Sequence, residues 1–481
     1  MSLALDEYRQ YDAAGLAELV ASNQVTGEEL VAAAAEAAER VNPSINAIVE
    51  LYPETERTPV PTSGLWRGVP YVVKDIAHLD VGRKVEYGSR LGLGLRSTRT
   101  THLLSRLQHL GLVPVGRSAT SELAVAGVTE TVAFGPTRTP WQLARNAGGS
   151  SGGSAAAIAA GIVPVAVGSD GGGSIRIPAS CCGIIGLKPT RGRISSAPWG
   201  DPLAGFASSF LLTRSVRDTE TALLLLSGSC PGDQYPLPPL VITRAKPFPR
   251  RRIRLMTESP AGLAVDHQVV KSTRQVAQHL ESLGHEVDEG SPTIEWHSFV
   301  DAMGRMWASD VARMAHDLAE RSGRKIDDET LEPQTLAIYR QGRSLSAQAL
   351  LDAGQVFNQV NRSIGAFFQD FDILITPTLG QLPPPVGRYN PNEDRTASSF
   401  FQSWADVEAF LPLFNCSGQP AMSLPLGWSS EGLPIGVQLV ADHGHEEMLL
   451  QIAYELEDSF GPFPIAPVPQ LSPAIRVERQ S

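Results

Sequence analysis

In the N-terminal half of this chain, the pattern of apolar and polar positions follows a helical period in some segments and a strand period in others. It therefore predicts a mixture of helices and strands. After the capping pattern Thr26-Gly-Glu-Glu29, LVAAAAEAAERV predicts an alanine-rich helix within a helical arm over 1–60. Short helical and strand patterns alternate within the following core, which we place at 65–225. In this core VPYVVKDI is rich in Val, Tyr and Ile, which favours a strand.

The C-terminal half shows a loop, then helices, then strands. Prolines and arginines at 228–251 predict a surface loop, and amphipathic segments at 265–370 predict a variable helical insertion. Three strands that close the sheet are predicted within 371–445, namely FDILITPT (371–378), PAMSLPLG (420–427) and GLPIGVQLVA (432–441). No repeat or linker is visible, so we expect one mixed α/β domain over 1–481.

A glycine- and serine-rich stretch at 148–176, GGSSGGSAAAIAAGIVPVAVGSDGGGSIR, encloses a run of small apolar residues. AAAIAAG predicts a tightly packed helix that Gly161 caps, and IVPVAVG predicts a strand. The glycines therefore lie before a helix and after a strand, where backbone amides can approach an anion closely. A phosphate and the oxyanion of an attacked carbonyl are the two candidates.

Composition and charge exclude several classes of protein. The formal net charge of −11 argues against a general binder of nucleic acids or anionic membranes, because both require a basic surface. No secretory signal is visible, and the longest weakly polar run, 155–168, is too short to cross a bilayer. Four cysteines form neither a metal-binding spacing nor a disulfide framework. We therefore expect a soluble cytoplasmic protein.

The candidate chemistry around the glycines depends on finding a nucleophile and a base. The phosphate interpretation is disfavoured because the chain lacks both G-x-x-x-x-G-K-[ST] and the dinucleotide-binding glycine pattern. Ser174 closes the glycine run, but Arg176 rules out a G-x-S-x-G elbow, and the ten histidines are dispersed. A neutral lysine can act as the base. Lys74, one of only six lysines, follows the apolar run VPYVV, which predicts a lowered pKa; the alternative is a solvated lysine paired with Asp75.

Taken together, these segments resemble the amidase signature family. GGSSGGSAAAIAAG and VGSDGGGSIRIPASCCGIIGLKPTRGRIS match its signature block. The other matching segments, in chain order, are GVPYVVKDI, AFGPTRTPWQLARNAGG, SVRDTE, FDILITPT and NCSGQPAMSLPLGWSSEGLPIGVQLV. The resemblance covers nearly the whole chain and is weakest at about 230–365. It implies a mixed central β-sheet covered by helices on both faces.

The resemblance also implies the roles of individual residues. Lys74 matches the family's base, Ser174 the acylated nucleophile, and Ser150 the bridging serine that follows a cis peptide bond. The oxyanion hole corresponds to the amides of Gly171, Gly172, Gly173 and Ser174. Asp170 and Arg176 match positions that shape the loop. One position departs from the family, because its usual SDTGGS is SDGGGS here, with Gly171 in place of threonine.

The implied reaction is hydrolysis of amide or carbamate C–N bonds, and of activated esters, through an acyl-enzyme on Ser174. It requires no cofactor and no metal. A carbamate (urethane) or aryl amide substrate is consistent with the family. Four aromatic residues in the variable region are candidates for an apolar substrate pocket or, equally, for the core, namely Trp307, Phe400, Phe401 and Trp404.

Two alternatives remain open from the sequence. The first is the glutaminase-like component of a glutamine-dependent tRNA amidotransferase, which shares the signature and works with partner chains. The second is a catalytically inactive binding protein. As partners we expect a small-molecule amide, carbamate or ester, no nucleic acid and no membrane, with the chain a monomer or homodimer.

Overall fold

The computed structural model describes residues 3–200, 202–242, 248–393 and 395–467. The predicted loop at 228–251 therefore lies partly outside the described residues, as do the two ends of the predicted domain.

Thirteen strands are present in the described residues. They are β1 (Ile48–Leu51), β2 (Pro70–Lys74), β3 (Val113–Ser118), β4 (Glu130–Thr131), β5 (Gly135–Pro136), β6 (Val165–Asp170), β7 (Ile185–Lys188), β8 (Ser208–Thr213), β9 (Arg252–Leu255), β10 (Glu286–Glu289), β11 (Ile373–Pro377), β12 (Ala421–Trp428) and β13 (Pro434–Ala441).

Eleven of these strands form one mixed sheet, in the order β1-β3-β2-β6-β8-β7-β12-β13-β11-β9-β10. Strand β2 is parallel to both of its neighbours, β3 and β6, whereas β12 and β13 pair antiparallel. Strands β4 and β5 form a separate two-stranded ribbon. The three segments predicted to close the sheet contain β11, β13 and all of β12 except its last residue, Trp428, and these strands are neighbours in the sheet.

Fourteen α-helices are present in the same residues. They are α1 (Leu5–Tyr8), α2 (Ala13–Ala21), α3 (Gly27–Ile45), α4 (His102–His109), α5 (Gly152–Ala159), α6 (Arg176–Cys182), α7 (Val216–Leu226), α8 (His267–Ser282), α9 (Trp296–Ser322), α10 (Pro333–Ser344), α11 (Ala347–Phe367), α12 (Ala397–Glu408), α13 (Pro412–Ser417) and α14 (Glu446–Phe460). Helices cover both faces of the sheet, so the predicted fold class is confirmed.

Local sequence signals account for where several elements begin. The predicted capping box is present at α3, because the amide of Glu29 donates to Thr26 Oγ1 at 3.1 Å while the Glu29 carboxylate accepts from the Thr26 amide at 2.7 Å. The predicted strand VPYVVKDI contains β2, all of whose residues are buried. The predicted helix AAAIAAG lies largely within α5, which is also fully buried.

The sheet topology explains how distant residues come to share one site. Because β2 and β6 run parallel side by side, their carboxyl ends, Lys74 and Asp170, meet at the same edge of the sheet. The turn after β6 leads into α6, and α5 lies immediately before β6 in the chain. Both glycine clusters of the sequence are thereby brought to the end of β2.

No helix among the described residues combines the length and hydropathy needed to cross a bilayer. The assignment of the whole chain to one domain, with its four regions, stays a prediction.

Candidate active site

Lys74 ends β2 with its side chain completely buried. Its Nζ donates hydrogen bonds to Ser150 Oγ at 2.7 Å and to Ser169 Oγ at 3.0 Å. Burial lowers the pKa of Lys74 to about 7, although the nearby Asp170 carboxylate opposes this shift. The alternative of a solvated lysine paired with Asp75 is wrong. Asp75 instead forms an ion pair with Arg117, in which a guanidinium NH1 lies 2.6 Å from Asp75 Oδ1.

Ser150 lies just before α5 and follows a cis peptide bond, Gly149–Ser150, as the resemblance implied. The preceding backbone is packed tightly, since a Cβ at Gly149 would lie 2.6 Å from the carbonyl carbon of Val128. Thr129 Oγ1 donates to the carbonyl of Gly148 at 2.9 Å and ties the turn to the rest of the protein. Ser150 is therefore held, fully buried, against the lysine amine.

The second glycine cluster forms the turn between β6 and α6. Gly173 adopts φ +141°, a conformation that favours glycine. Within the described residues, none of the amides of Gly171, Gly172, Gly173 and Ser174 donates a hydrogen bond to the protein. A row of unpaired backbone N–H groups at the end of a strand can donate hydrogen bonds to a bound anion or to a developing oxyanion.

Ser174 lines the same cavity as Ser150. The hydroxyl of Ser174 has no hydrogen-bond partner among the described residues. Lys74 and Ser150 are therefore joined by a hydrogen bond, whereas Ser150 and Ser174 are not. The structure thus brings Ser150 and Ser174 to one cavity and places the buried Lys74 in direct contact with Ser150.

Asp170 and Arg176 clamp the two ends of the glycine turn. Arg176 Nε donates to Asp170 Oδ2, and the Arg176 NH2 group donates to Asp170 Oδ1, both at 2.9 Å. Burial raises the pKa of the Asp170 carboxyl, but the charge and hydrogen bonds of Arg176 lower it to about 2. Both side chains are fully buried, and neither is among the residues that line the cavity.

The cavity that opens above Ser174 has a volume of about 730 Å³. Apolar side chains form much of its wall, among them Ile76, Leu123, Leu203, Trp307, Met314 and Leu318. Helix α9 adds charged side chains, namely Asp310, Arg313, Asp317, Glu320 and Arg321. A cavity of this size and character accommodates a small organic molecule.

The four aromatic residues singled out in the sequence divide between the cavity and the core. Trp307 lies on the cavity wall. Phe400, Phe401 and Trp404 are buried in a hydrophobic cluster and are absent from the lining of the large cavity. For these three, the core placement that the sequence also allowed is the one observed.

Two polar residues near the site were missed in the sequence. Ser169, the second acceptor for Lys74, directly precedes Asp170 in the quoted motif, so its position at the strand end was the available signal. Glu408 ends α12, and its Oε2 lies 3.8 Å from where a Cβ at Gly172 would be. Burial, and next the charge of Asp170, raise the pKa of Glu408 to about 8, against the opposing charge of Arg176. No sequence motif marks Glu408.

Known proteins share this sequence pattern over most of its length. A family model described as Amidase matches residues 29–450. The 6-aminohexanoate-cyclic-dimer hydrolase of Paenarthrobacter ureafaciens is 36% identical over 468 residues, which cover 93% of this chain and 94% of the relative.

Solved structures agree with that match. A structure of 6-aminohexanoate cyclic dimer hydrolase superposes with a TM-score of 0.88 at 34% identity, covering 96% of this chain and 99% of the other. A bacterial aryl acylamidase of the amidase signature family superposes with a TM-score of 0.81 at 26% identity, covering 93% and 96%.

Proposed function

The chain belongs to the amidase signature family and is an amidohydrolase that acts on C–N bonds, and from that premise we propose that it works through an acyl-enzyme on Ser174. The observation that carries this proposal is the hydrogen bond of 2.7 Å from the buried Lys74 amine to Ser150 Oγ. A buried lysine with a pKa of about 7 is substantially neutral at neutral pH and can accept a proton.

In the proposed acylation, Lys74 takes the proton of Ser150, and Ser150 takes that of Ser174. The Ser174 hydroxyl, which has no hydrogen-bond partner among the described residues, must rotate toward Ser150 for this transfer to occur. Ser174 Oγ then bonds to the carbonyl carbon, and the carbonyl electron pair moves to oxygen. The free amides of the glycine turn stabilise this oxyanion, each donor contributing about 3 kcal/mol.

The proton then returns through Ser150 to the leaving nitrogen, and the C–N bond breaks. This step separates amides from esters, because an amine leaves only after it is protonated. Water next attacks the acyl carbon, its proton passing to the same relay, and Ser174 leaves as a free hydroxyl. Asp170 and Arg176 take no part in proton transfer; they hold the turn that carries the amides.

As substrates we propose small, largely apolar or aromatic amides and carbamates, and activated esters as well. Supporting this choice are the apolar wall of the cavity, which includes Trp307 and Leu203, and its volume of about 730 Å³. The similarity to a hydrolase of 6-aminohexanoate cyclic dimer adds that cyclic amide to the candidates.

A substrate panel on the purified protein tests this function. It comprises p-nitroanilides, aryl carbamates, simple aliphatic amides, 6-aminohexanoate cyclic dimer and p-nitrophenyl esters, with glutamine included for the amidotransferase alternative. We expect release of amine from at least one amide or carbamate, a loss of at least about 10³-fold in Ser174→Ala, and a loss of about 10²–10⁴-fold in Lys74→Ala.

Three results on this panel separate the proposal from its alternatives. Near-normal hydrolysis by Ser174→Ala contradicts the acyl-enzyme. Glutamine hydrolysis together with copurifying partner chains indicates the amidotransferase component. The absence of both turnover and labelling by a fluorophosphonate indicates an inactive binding protein.

A further inference from the structure

Gly171 stands where the family pattern SDTGGS has threonine, and two side chains occupy the space beside it. A Cβ at Gly171 would lie 3.1 Å from Leu203 Cδ2 and 3.2 Å from Trp307 Cζ2, closer than side chains normally pack. The φ angle of Gly171 lies outside the left-handed region, so φ does not require a glycine at this position. The glycine is therefore needed because its lack of a side chain leaves space for Leu203 and Trp307.

Helix α9, which carries Trp307, cannot readily move away from the glycine turn, because it is packed closely on two sides. At Gly304, one turn earlier, a Cβ would lie 3.0 Å from the ring of Phe401 in α12. On another side, Gly342 of α10 lies so close to the carbonyl of Ala308 that no Cβ fits between them. The indole also packs against two hydrophobic clusters, one beside Leu203 and one beside Phe401.

We propose that Gly171 and Trp307 form a matched pair that determines which acyl group the enzyme accepts. The indole forms a flat apolar wall directly beside the amides that receive the oxyanion, and it lines the cavity together with Ser174. After the amine departs, the acyl group stays bonded to Ser174 beside this wall until water releases it. The pair therefore favours a flat aromatic acyl group over a small alkyl one.

This inference rests on the proposed acyl-enzyme at Ser174 and adds the acyl specificity of that site. A threonine at 171 would push against Trp307 and Leu203, narrowing the cavity at the acyl group. Because α9 is held by α10 and α12, we expect the strain to fall on the indole and hence on bulky acyl groups most of all.

A double-mutant cycle on Gly171→Thr and Trp307→Leu tests the pair, with kcat/KM measured for p-nitrophenyl benzoate and p-nitrophenyl acetate. Gly171→Thr should lower the benzoate-to-acetate ratio of kcat/KM by about tenfold, and Trp307→Leu should lower it to a similar extent. The double variant should match Trp307→Leu within about twofold, because the threonine then meets no indole and Leu203 can shift into the space that the indole leaves. Gly171→Ala, which adds only the Cβ, replaces the threonine variant in the cycle if that variant does not fold. It should also lower the benzoate-to-acetate ratio of kcat/KM.

The control is Gly354→Thr, the same residue change on α11 at a position where a Cβ meets nothing within 4 Å. It should leave both rates unchanged. The pair is refuted if Gly171→Thr lowers both esters equally, or if its effect is the same with and without Trp307. Ester hydrolysis that survives in Ser174→Ala would instead overturn the proposed function, so the two failures are distinguishable.

Discussion

Lys74 has the properties of a base because protein encloses its amine on every side. Its hydrogen bonds go to two hydroxyl groups, Ser150 and Ser169, and neither supplies a negative charge that would hold a proton on the nitrogen. The carboxylate that opposes the lowering of its pKa, Asp170, is itself paired with Arg176. Desolvation therefore dominates, and the neutral amine is accessible near pH 7.

The pH dependence of kcat/KM should report this amine. Because only neutral Lys74 accepts a proton, kcat/KM should rise with pH through a midpoint at about 7. Lys188 is a second buried lysine with a pKa lowered to about 7 by burial and by Arg176, but it donates to the carbonyl of Pro189 rather than to a serine. Lys188→Met should therefore retain the rise; its disappearance would assign the titration to Lys188.

Glu408 should set the alkaline limit of the same profile. Its carboxyl lies beside Gly172, so its ionisation above about pH 8 places a negative charge near the developing oxyanion. Activity should fall above that pH in the unmodified enzyme and remain level in Glu408→Gln, which stays neutral. A profile of Glu408→Gln that still falls above pH 8 would show that another group is responsible.

At the scale of single elements, α5 explains how the serine-rich turn is held. The helix is buried along its whole length, and its small residues let it lie close to the backbone directly after β3, at Ala119, and directly before β1, at Ala47. A Cβ at Gly153 would lie 2.7 Å from the carbonyl oxygen of Ala119 and closer still to two other backbone atoms. The glycines here are needed for close approach rather than for flexibility.

Gly153→Ala should therefore destabilise the protein by about 2–3 kcal/mol, since backbone must move to admit the methyl group. Gly354→Ala, in a helix where a Cβ meets open space, should be neutral or stabilise by up to about 1 kcal/mol. Urea unfolding of the two variants checks this contrast. Equal stabilities would mean that α5 is not tightly packed in solution.

Elements were predicted well from the sequence where local chemistry decides them, and less well where packing between distant segments does. The capping box at Thr26 and the strand ending at Lys74 are confirmed because their signals are local. Whether Trp307 or Trp404 faces the cavity depends on how α9 and α12 pack against each other. The hydrophobic pattern of the sequence does not predict that packing. The role of Lys74 was open for the same reason, because burial depends on the whole sheet.

At the scale of the whole molecule, Arg176 connects segments that are far apart in the chain. Besides Asp170 of β6, its guanidinium donates to the carbonyl of Leu411 at 3.1 Å, to Gln438 Oε1 at 2.8 Å and to Asn415 Oδ1 at 2.6 Å. Asp170 belongs to the signature block, whereas the other three partners lie in α13, directly before it, or in β13. The active-site turn and these distant elements are thus joined at one fully buried group.

Arg176→Lys should consequently destabilise the protein by about 3 kcal/mol, because a lysine cannot make these planar contacts and leaves Asp170 poorly paired. The matched control is Arg305→Lys, whose residue forms an exposed ion pair with Asp301 on α9 and should change stability by less than about 0.5 kcal/mol. Denaturant titrations of both variants decide the point. A cost for Arg176→Lys no larger than that of the control would show that the buried cluster does not join these segments.

The site of covalent modification by a fluorophosphonate, located by mass spectrometry, tests the proposed relay most directly. No lysine or arginine lies between Ser150 and Ser174, so trypsin leaves both serines in one peptide and fragment ions must distinguish them. We predict one phosphonyl group on Ser174, none in Ser174→Ala, and much slower labelling in Lys74→Ala. Labelling on Ser150, or labelling of Ser174 at an unchanged rate without Lys74, would contradict the proposed relay.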